Sequence, residues 1–323
     1  MDSDTDTLPK HISSTLWRRG VACKAAPSVA VPNPLILQPL PRWVGSSKAL
    51  ETRTGQGVSP SDRDAAFAAG AAAFALDQII RAEPPWLGCL RMRLTIRAAA
   101  VASRLLRLNA DEASLRDAEH LTRPGDDPGP AGRLHRLLRQ LASRPTRLAD
   151  ETLSAIATEI EGSVTCAELL ALLRADLALA VHLGWERPLL LHIGTILDPD
   201  LRQGSAGKRP RADQPEWPDL QYPVLACAAA NAHAQAVTLA RKAEVLAAMA
   251  DTLRTRDGGR GVGLILSDDS VAPWRMARKG DMGGQGKEGL GSDRAARRLC
   301  ESLHEKGALR LLTDRPTFRL YGL

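Results

Sequence analysis

A chain of 323 residues, 44% of them hydrophobic, is long enough for two packed domains and carries ample material for a core. Aromatics supply only 3%, so that core has to be built from Ala, Leu, Ile and Val, a composition that favours helices. The net charge is +6, and the five cysteines (Cys23, Cys89, Cys166, Cys227, Cys300) are odd in number and form no C-x-x-C pair, which argues against a disulfide framework and a structural zinc.

The N-terminus, Met1-Asp2-Ser3-Asp4, lacks the basic-then-apolar order of a signal peptide. The most apolar run, Ala65 to Ile80, is interrupted by Asp77 and falls short of the roughly 20 apolar residues that span a bilayer. The expectation is a cytoplasmic protein without membrane contact. Residues 1–60 hold Pro9, Pro27, Pro32, Pro34, Pro39, Pro41 and Pro60 with little periodicity and read as a largely disordered lead-in, with Trp43 tucked against the body.

Helices follow. Ser59 or Ser61 can cap one that runs to Arg81, with Asp62 and Asp64 at the positive end of its dipole and Asp77 one turn from Arg81. Pro84-Pro85 ends it and opens the next, in which Trp86, Leu90, Leu94 and Ala98 share a stripe. Asn109 is placed to cap "DEASLRDAEHL", which "TRPGDDPGP" stops; "AGRLHRLLRQL" and "TRLADETLSAIATEIEG" come next, the latter ending at Gly162. "SVTCAELLALLRADLALAVHLGW" is apolar almost all round and is expected to be the central buried helix, with an arginine partner for Asp176. "LLLHIGTIL" fits a strand or a helical turn, "RQGSAGKRPRADQPEWPD" a polar loop, and Pro223 to Leu253 a long Ala-rich helix. "RDGGRG" marks a boundary, so a helical domain over 61–255 is followed by a second domain over 256–323.

The densest group of reactive side chains in the helical part is Glu119, His120, Asp126, Asp127 and His135. Two imidazoles among carboxylates suit general acid–base work. The spacing matches no metal signature, and no metal or cofactor is expected. The competing reading makes Asp126 or Asp127 a cap, accepting backbone N–H bonds of the helix after Pro128. His182, His192 and His233 stand alone and read as hydrogen-bonded core residues. "GGRGVG" follows a helix and not a strand, which removes it as a phosphate loop.

From Arg254 to Leu323 there are fourteen Lys and Arg against nine Asp and Glu, so nearly all of the net charge sits there. The segment reads as a winged helix-turn-helix. "VGLILSDD" and "VAPWRMARK" give two short helices, and Ser292 caps a third. In the third, Ala296, Leu299, Cys300 and Leu303 point inward and Arg294, Arg297 and Arg298 outward. Gly307 ends that helix, and "ALRLLT" and "TFRLYGL" pair as a two-stranded wing with Arg315 at its tip and Arg319 beside it. These five arginines are the expected contacts to duplex DNA, and the modest affinity of one such module makes a homodimer the expected assembly.

"DAAFAAGAAAFALDQIIRAEPPWLGCLRMRL", "DEASLRDAEHLTRPGDDPGPAGRLHRL", "LGWERP" and "SDRAARRLCESLHEKGALRLLTDRPTFRLYGL" together resemble a bacterial family known only as domain of unknown function 1403, over about Ser61 to Leu323. That resemblance implies no activity. The tail is also similar to the C-terminal winged helices of some Fic-type proteins, although no H-P-F-x-x-G-N motif is present. The sequence departs from the family pattern between Gly280 and Gly291, where six of twelve residues are glycine, in place of a helix-turn-helix turn of about 3–4 residues. The expected fold is mainly α: a multi-helix body with a C-terminal winged helix. The expected function is DNA binding, regulatory or replicon-associated. The alternatives are an enzyme with a site near residues 119–135, or a helical protein whose winged helix docks another protein.

Overall fold

The computed structural model describes residues 37–45 and 62–323, except 124, 202–208, 210, 213, 216, 253–257, 279–289, 291, 314 and 316–317. Most of the lead-in, the caps Ser59 and Ser61, and most of the glycine-rich insertion therefore lie outside the described residues. All described residues belong to one compact unit, Asn33–Leu323.

The architecture is mainly helical. A short helix α1 (Arg42–Gly45) precedes α2 (Asp62–Arg81), α3 (Leu87–Leu105), α4 (Glu112–Leu121), α5 (Gly129–Ser143), α6 (Ala149–Glu159), α7 (Cys166–Leu183), α8 (His192–Thr195) and the long α9 (Gln221–Thr252). After α9 come α10 (Gly258–Ser267), α11 (Pro273–Ala277) and α12 (Asp293–Glu305). The chain ends in two antiparallel two-residue strands, β1 (Arg310–Leu311) and β2 (Tyr321–Gly322), with Leu311 opposite Tyr321. Val271 makes an isolated antiparallel bridge to Tyr321. Among the described residues, no helix is long and apolar enough to cross a membrane.

Two apolar clusters form the interior, and α3 and α9 belong to both. Leu90 and Leu94 of α3 pack with Leu76 and Ile79 of α2, Leu239 and Leu246 of α9, and the C-terminal residues Leu264, Ile265, Met276, Leu303 and Tyr321. One turn on, Ile96 and Ala99 of α3 and Val224 of α9 join Leu134 and Leu138 of α5, Ile156 of α6, Leu172 of α7 and Ile193 of α8. Small side chains make this possible: Ala98, Ala99 and Ala102 are completely enclosed, so neighbouring backbones approach closely.

The central position belongs to α3 and not to α7. Helix α7 buries Leu169, Leu172, Leu173, Asp176 and Ala180 on one side but leaves Val181 69% exposed. High mean hydropathy around the whole circumference hid this one-sided burial. No arginine among the described residues pairs with Asp176 either. Its Oδ1 accepts the N–H groups of Leu191 and His192 at 3.0 Å and faces Nδ1 of His192 at 2.7 Å. The chain folds back after α7, so backbone donors and a histidine serve Oδ1 where a distant guanidinium was expected, while Oδ2 is buried with no hydrogen-bond partner among the described residues.

Local signals set most boundaries. Asp111, not Asn109, caps α4: its carboxylate accepts the Ser114 N–H at 2.8 Å, and Ser114 Oγ accepts the Asp111 N–H at 3.0 Å. Asn109 instead adopts a left-handed backbone, at φ 50°. "LLLHIGTIL" resolves into an extended lead to the single turn α8. Arg81 Nε meets Asp77 at 2.6 Å, and the Trp185 indole N–H donates to the same carboxylate at 2.8 Å. Gly258, Gly259, Gly261 and Gly263 fall inside α10. A Cβ on Gly261 would overlap Cδ2 of Leu299 as it now stands, so glycine there lets α12 close on α10.

Candidate functional site

Two groups of charged residues emerge, one on the surface of α12 and one inside the molecule. On α12 the local chemistry is direct. The Ser292 hydroxyl accepts the Ala295 N–H at 3.3 Å, and Ala296, Leu299, Cys300 and Leu303 face the core. A 3.6-residue period then forces Arg294, Arg297 and Arg298 to the opposite side, where all three are exposed.

Arg297 reaches back to Asp293 at 3.0 Å, Arg319 lies 3.4 Å from Glu301, and Arg315 pairs with Asp117 of α4 at 2.9 Å. These arginines are about half exposed or more, so such pairs contribute only about 0–1 kcal/mol and leave the guanidinium groups open to exchange for another anion. Arg297 and Arg319 line one cleft of about 230 Å³ with Trp274, Glu301, Phe318 and Tyr321. The Arg278 guanidinium lies 5.1 Å from the centre of the Trp274 ring system, within cation–π range.

The interior group joins the turn after α10, "SDDS", to three helices of the body. Arg139 of α5 donates two parallel hydrogen bonds to Asp268, at 3.0 and 2.7 Å. Arg116 of α4 and Arg93 of α3 both donate to Asp269, at 2.6 and 3.3 Å. Arg93 also donates to the Leu323 carbonyl at 2.7 Å, tying down the end of the last strand. Ser270 Oγ lies 2.9 Å from Nε2 of His120, whose Nδ1 accepts from Arg275 at 3.4 Å. That acceptor role leaves the proton on Nε2, which donates to the serine. Arg275 donates to Glu119 at 3.2 Å as well.

Burial governs the electrostatics. It would raise the Asp268 carboxyl, but the Arg139 guanidinium outweighs it and holds the group below its usual value. Burial likewise works against Glu119, which Arg139 and Arg275 keep low. The imidazoles behave in the opposite way. Burial pushes His120 down to about 4, and burial together with the Arg139 charge does the same to His135. Both rings are therefore neutral at pH 7. Among the described residues, neither ring nitrogen of His135 finds a hydrogen-bond partner, in a site only 1% exposed.

Of the acidic and histidine residues singled out from sequence, Glu119, His120 and His135 come together in this interior group. Asp126 and Asp127 do not. Asp127 is on the surface, where it accepts both Arg133 Nη1, at 2.7–2.8 Å, and the Gly129 N–H, at 2.9 Å, at the start of α5. Both buried imidazoles lie beyond the reach of a solute in this conformation, His120 being only 2% exposed. What the group does is hold the 267–270 turn against α3, α4 and α5. Among the described residues, no set of three or more His, Cys, Asp or Glu side chains is arranged to hold a metal. Arg93, Arg116, Arg139, Asp268 and Asp269 escaped sequence reasoning. Arg116 and Arg139 sit in ordinary amphipathic helices and Arg93 in the mostly buried α3, and the only local signal was a pair of aspartates between two apolar segments.

The protein is thus a mainly helical one with a small antiparallel sheet at its C-terminus. The family described as "Protein of unknown function (DUF1403)" matches residues 36–163 and 152–323, and the chain belongs to that family. No curated protein and no solved structure matches it.

Proposed function

We propose that Gly258–Leu323 is a winged helix that binds duplex DNA, with α12 as its recognition helix. The observation that carries this reading is the exposure of Arg294, Arg297 and Arg298 together on the first two turns of a helix whose opposite face is packed into the core. The element order supports it: helix, bridge residue, helix, capped helix, strand, strand, with Val271 and Leu311 both pairing with Tyr321. The N-terminal turns of such a helix are where base edges and phosphates are met. Arg315 and Arg319 follow in the segment between the strands and add charge on the wing.

In this reading the interior carboxylates fix how the module sits. Asp268 and Asp269 anchor its first turn through Arg139, Arg93 and Arg116, so α12 is presented at a set angle to the helical body. The test is a titration of a fluorescent random-sequence duplex at low salt. Wild type binds, and an Arg294→Ala/Arg297→Ala/Arg298→Ala variant loses binding while its far-ultraviolet circular dichroism and melting midpoint stay unchanged. A wild-type protein that shows no affinity for duplex at low salt overturns the reading.

A further inference from the structure

Helix α2 carries an apolar face that no described residue beyond Trp43 covers. Of the three phenylalanines in the chain, two lie on this helix, Phe67 at 68% and Phe74 at 65% exposure. They are seven residues apart and so stand on the same side, opposite the core residues Ala72, Leu76 and Ile79. Among the described residues, Trp43 alone stacks on Phe67, with ring centres 5.6 Å apart. Between the two rings lies Gly70, exposed in the middle of a 20-residue helix, with nothing within 4 Å of where a Cβ would be. A mid-helix glycine weakens a helix relative to alanine, and here neither a turn nor a tight neighbour among the described residues requires it.

We infer that this face is the contact between two copies of the chain, paired through antiparallel α2 helices across a twofold axis at Gly70 and Ala71. The stripe is its own complement. "FAAGAAAF", Phe67 to Phe74, reads nearly the same in both directions, so a twofold at its centre sets Phe67 of one protomer against Phe74 of the partner subunit. Gly70 meets Ala71 of the partner subunit at the crossing, where the missing side chain lets the backbones approach. The exposed positions along the stripe are Arg63, Phe67, Gly70, Phe74, Gln78 and Arg81, so the centre is uncharged and the charges lie at the ends. Antiparallel pairing puts Arg63 near Gln78 of the partner subunit and sets the positive end of each helix dipole beside the negative end of the other.

The area fits a reversible dimer. A phenylalanine offers roughly 150–250 Å² for burial, so four rings about two-thirds exposed supply on the order of 500 Å². With the rest of the stripe the total approaches about 1,000 Å², the lower bound for a specific interface. Assembly at micromolar concentrations follows, and it does not depend on the DNA-binding reading.

Sedimentation velocity on the full chain, from about 1 to about 200 µM, tests it. Wild type passes from monomer to dimer within that range. Phe74→Lys, which sets lysines against the partner's Phe67, weakens the dimer at least about tenfold, equivalent to about 1.4 kcal/mol. Gly70→Leu also weakens it while leaving the monomer's melting midpoint unchanged or raised, because the added side chain enters open space in the monomer. Gly70→Cys yields a disulfide-linked dimer under mild oxidation that wild type, with its own cysteines, does not. A wild type that stays monomeric throughout overturns the inference, and so does a dimer whose affinity Phe74→Lys and Gly70→Leu leave unchanged.

Discussion

Arg93, Arg116 and Arg139 are held against Asp268 and Asp269 in the interior, whereas Arg294, Arg297 and Arg298 stand in solvent on α12. The two sets of arginines differ in their surroundings: Arg93 projects from the mostly buried α3, while α12 buries only one face. A buried pair gains little net free energy, since desolvation offsets attraction, but breaking it leaves a stranded charge. Its value lies in fixing one arrangement of the turn after α10 against the body. An exposed guanidinium gives up little when it exchanges a weak surface partner for a phosphate. The interior arginines therefore set geometry, and the surface ones carry no such task, which is what the proposed DNA-binding reading requires of them.

The contrast predicts effects of very different size. Asp268→Ala strands Arg139 and is expected to lower unfolding stability by roughly 3–5 kcal/mol, read from urea denaturation. An Arg294→Ala change, by contrast, should stay within about 0.5 kcal/mol in the same assay.

Acid sharpens the comparison further. His120 and His135 titrate near 4 in the folded protein and near 6.5 when unfolded, so below 6.5 the unfolded chain binds protons that the folded one does not. Stability is present above that pH and falls as pH drops towards 4, by up to about 1.4 kcal/mol per pH unit for each imidazole. The lowered Asp268 carboxyl extends the loss below pH 3.8. Denaturation midpoints measured from pH 7.5 to pH 4.5 check this; a flat profile over that range would remove the buried histidines from the account.

His135→Leu should act in the opposite direction. Removing two unpartnered ring nitrogens from the interior is expected to be neutral or to stabilise by about 1 kcal/mol at pH 7, and to halve the pH dependence. A small effect is likewise expected at the surface pair Arg315–Asp117, where Asp117→Ala should change stability by no more than about 1 kcal/mol.

The sequence was most readable where one face of a helix does one job. The third helix of the C-terminal segment, its serine cap, its four inward residues and its outward arginines all follow from spacing alone. The helix running from about Pro223 to Leu253 is likewise found at Gln221–Thr252. Reading failed where long-range contacts decide. Mean hydropathy put α7 at the centre, although the small side chains of α3, which let two cores share one helix, matter more. Asp176 drew its partners from a returning loop, and the charges around Asp268 and Asp269 come from four separate segments. The sequence reading singled out neither Phe67 nor Phe74, and only the packing shows them turned outward.

The salt dependence of duplex binding tests the central claim most directly. Three arginine–phosphate contacts on α12 predict a slope of log affinity against log salt of about −2.7 for wild type, at about −0.9 per contact. Replacing Arg298 alone should reduce it by about 0.9. A slope near zero, or one that the Arg294→Ala/Arg297→Ala/Arg298→Ala variant reproduces, would contradict recognition through this face.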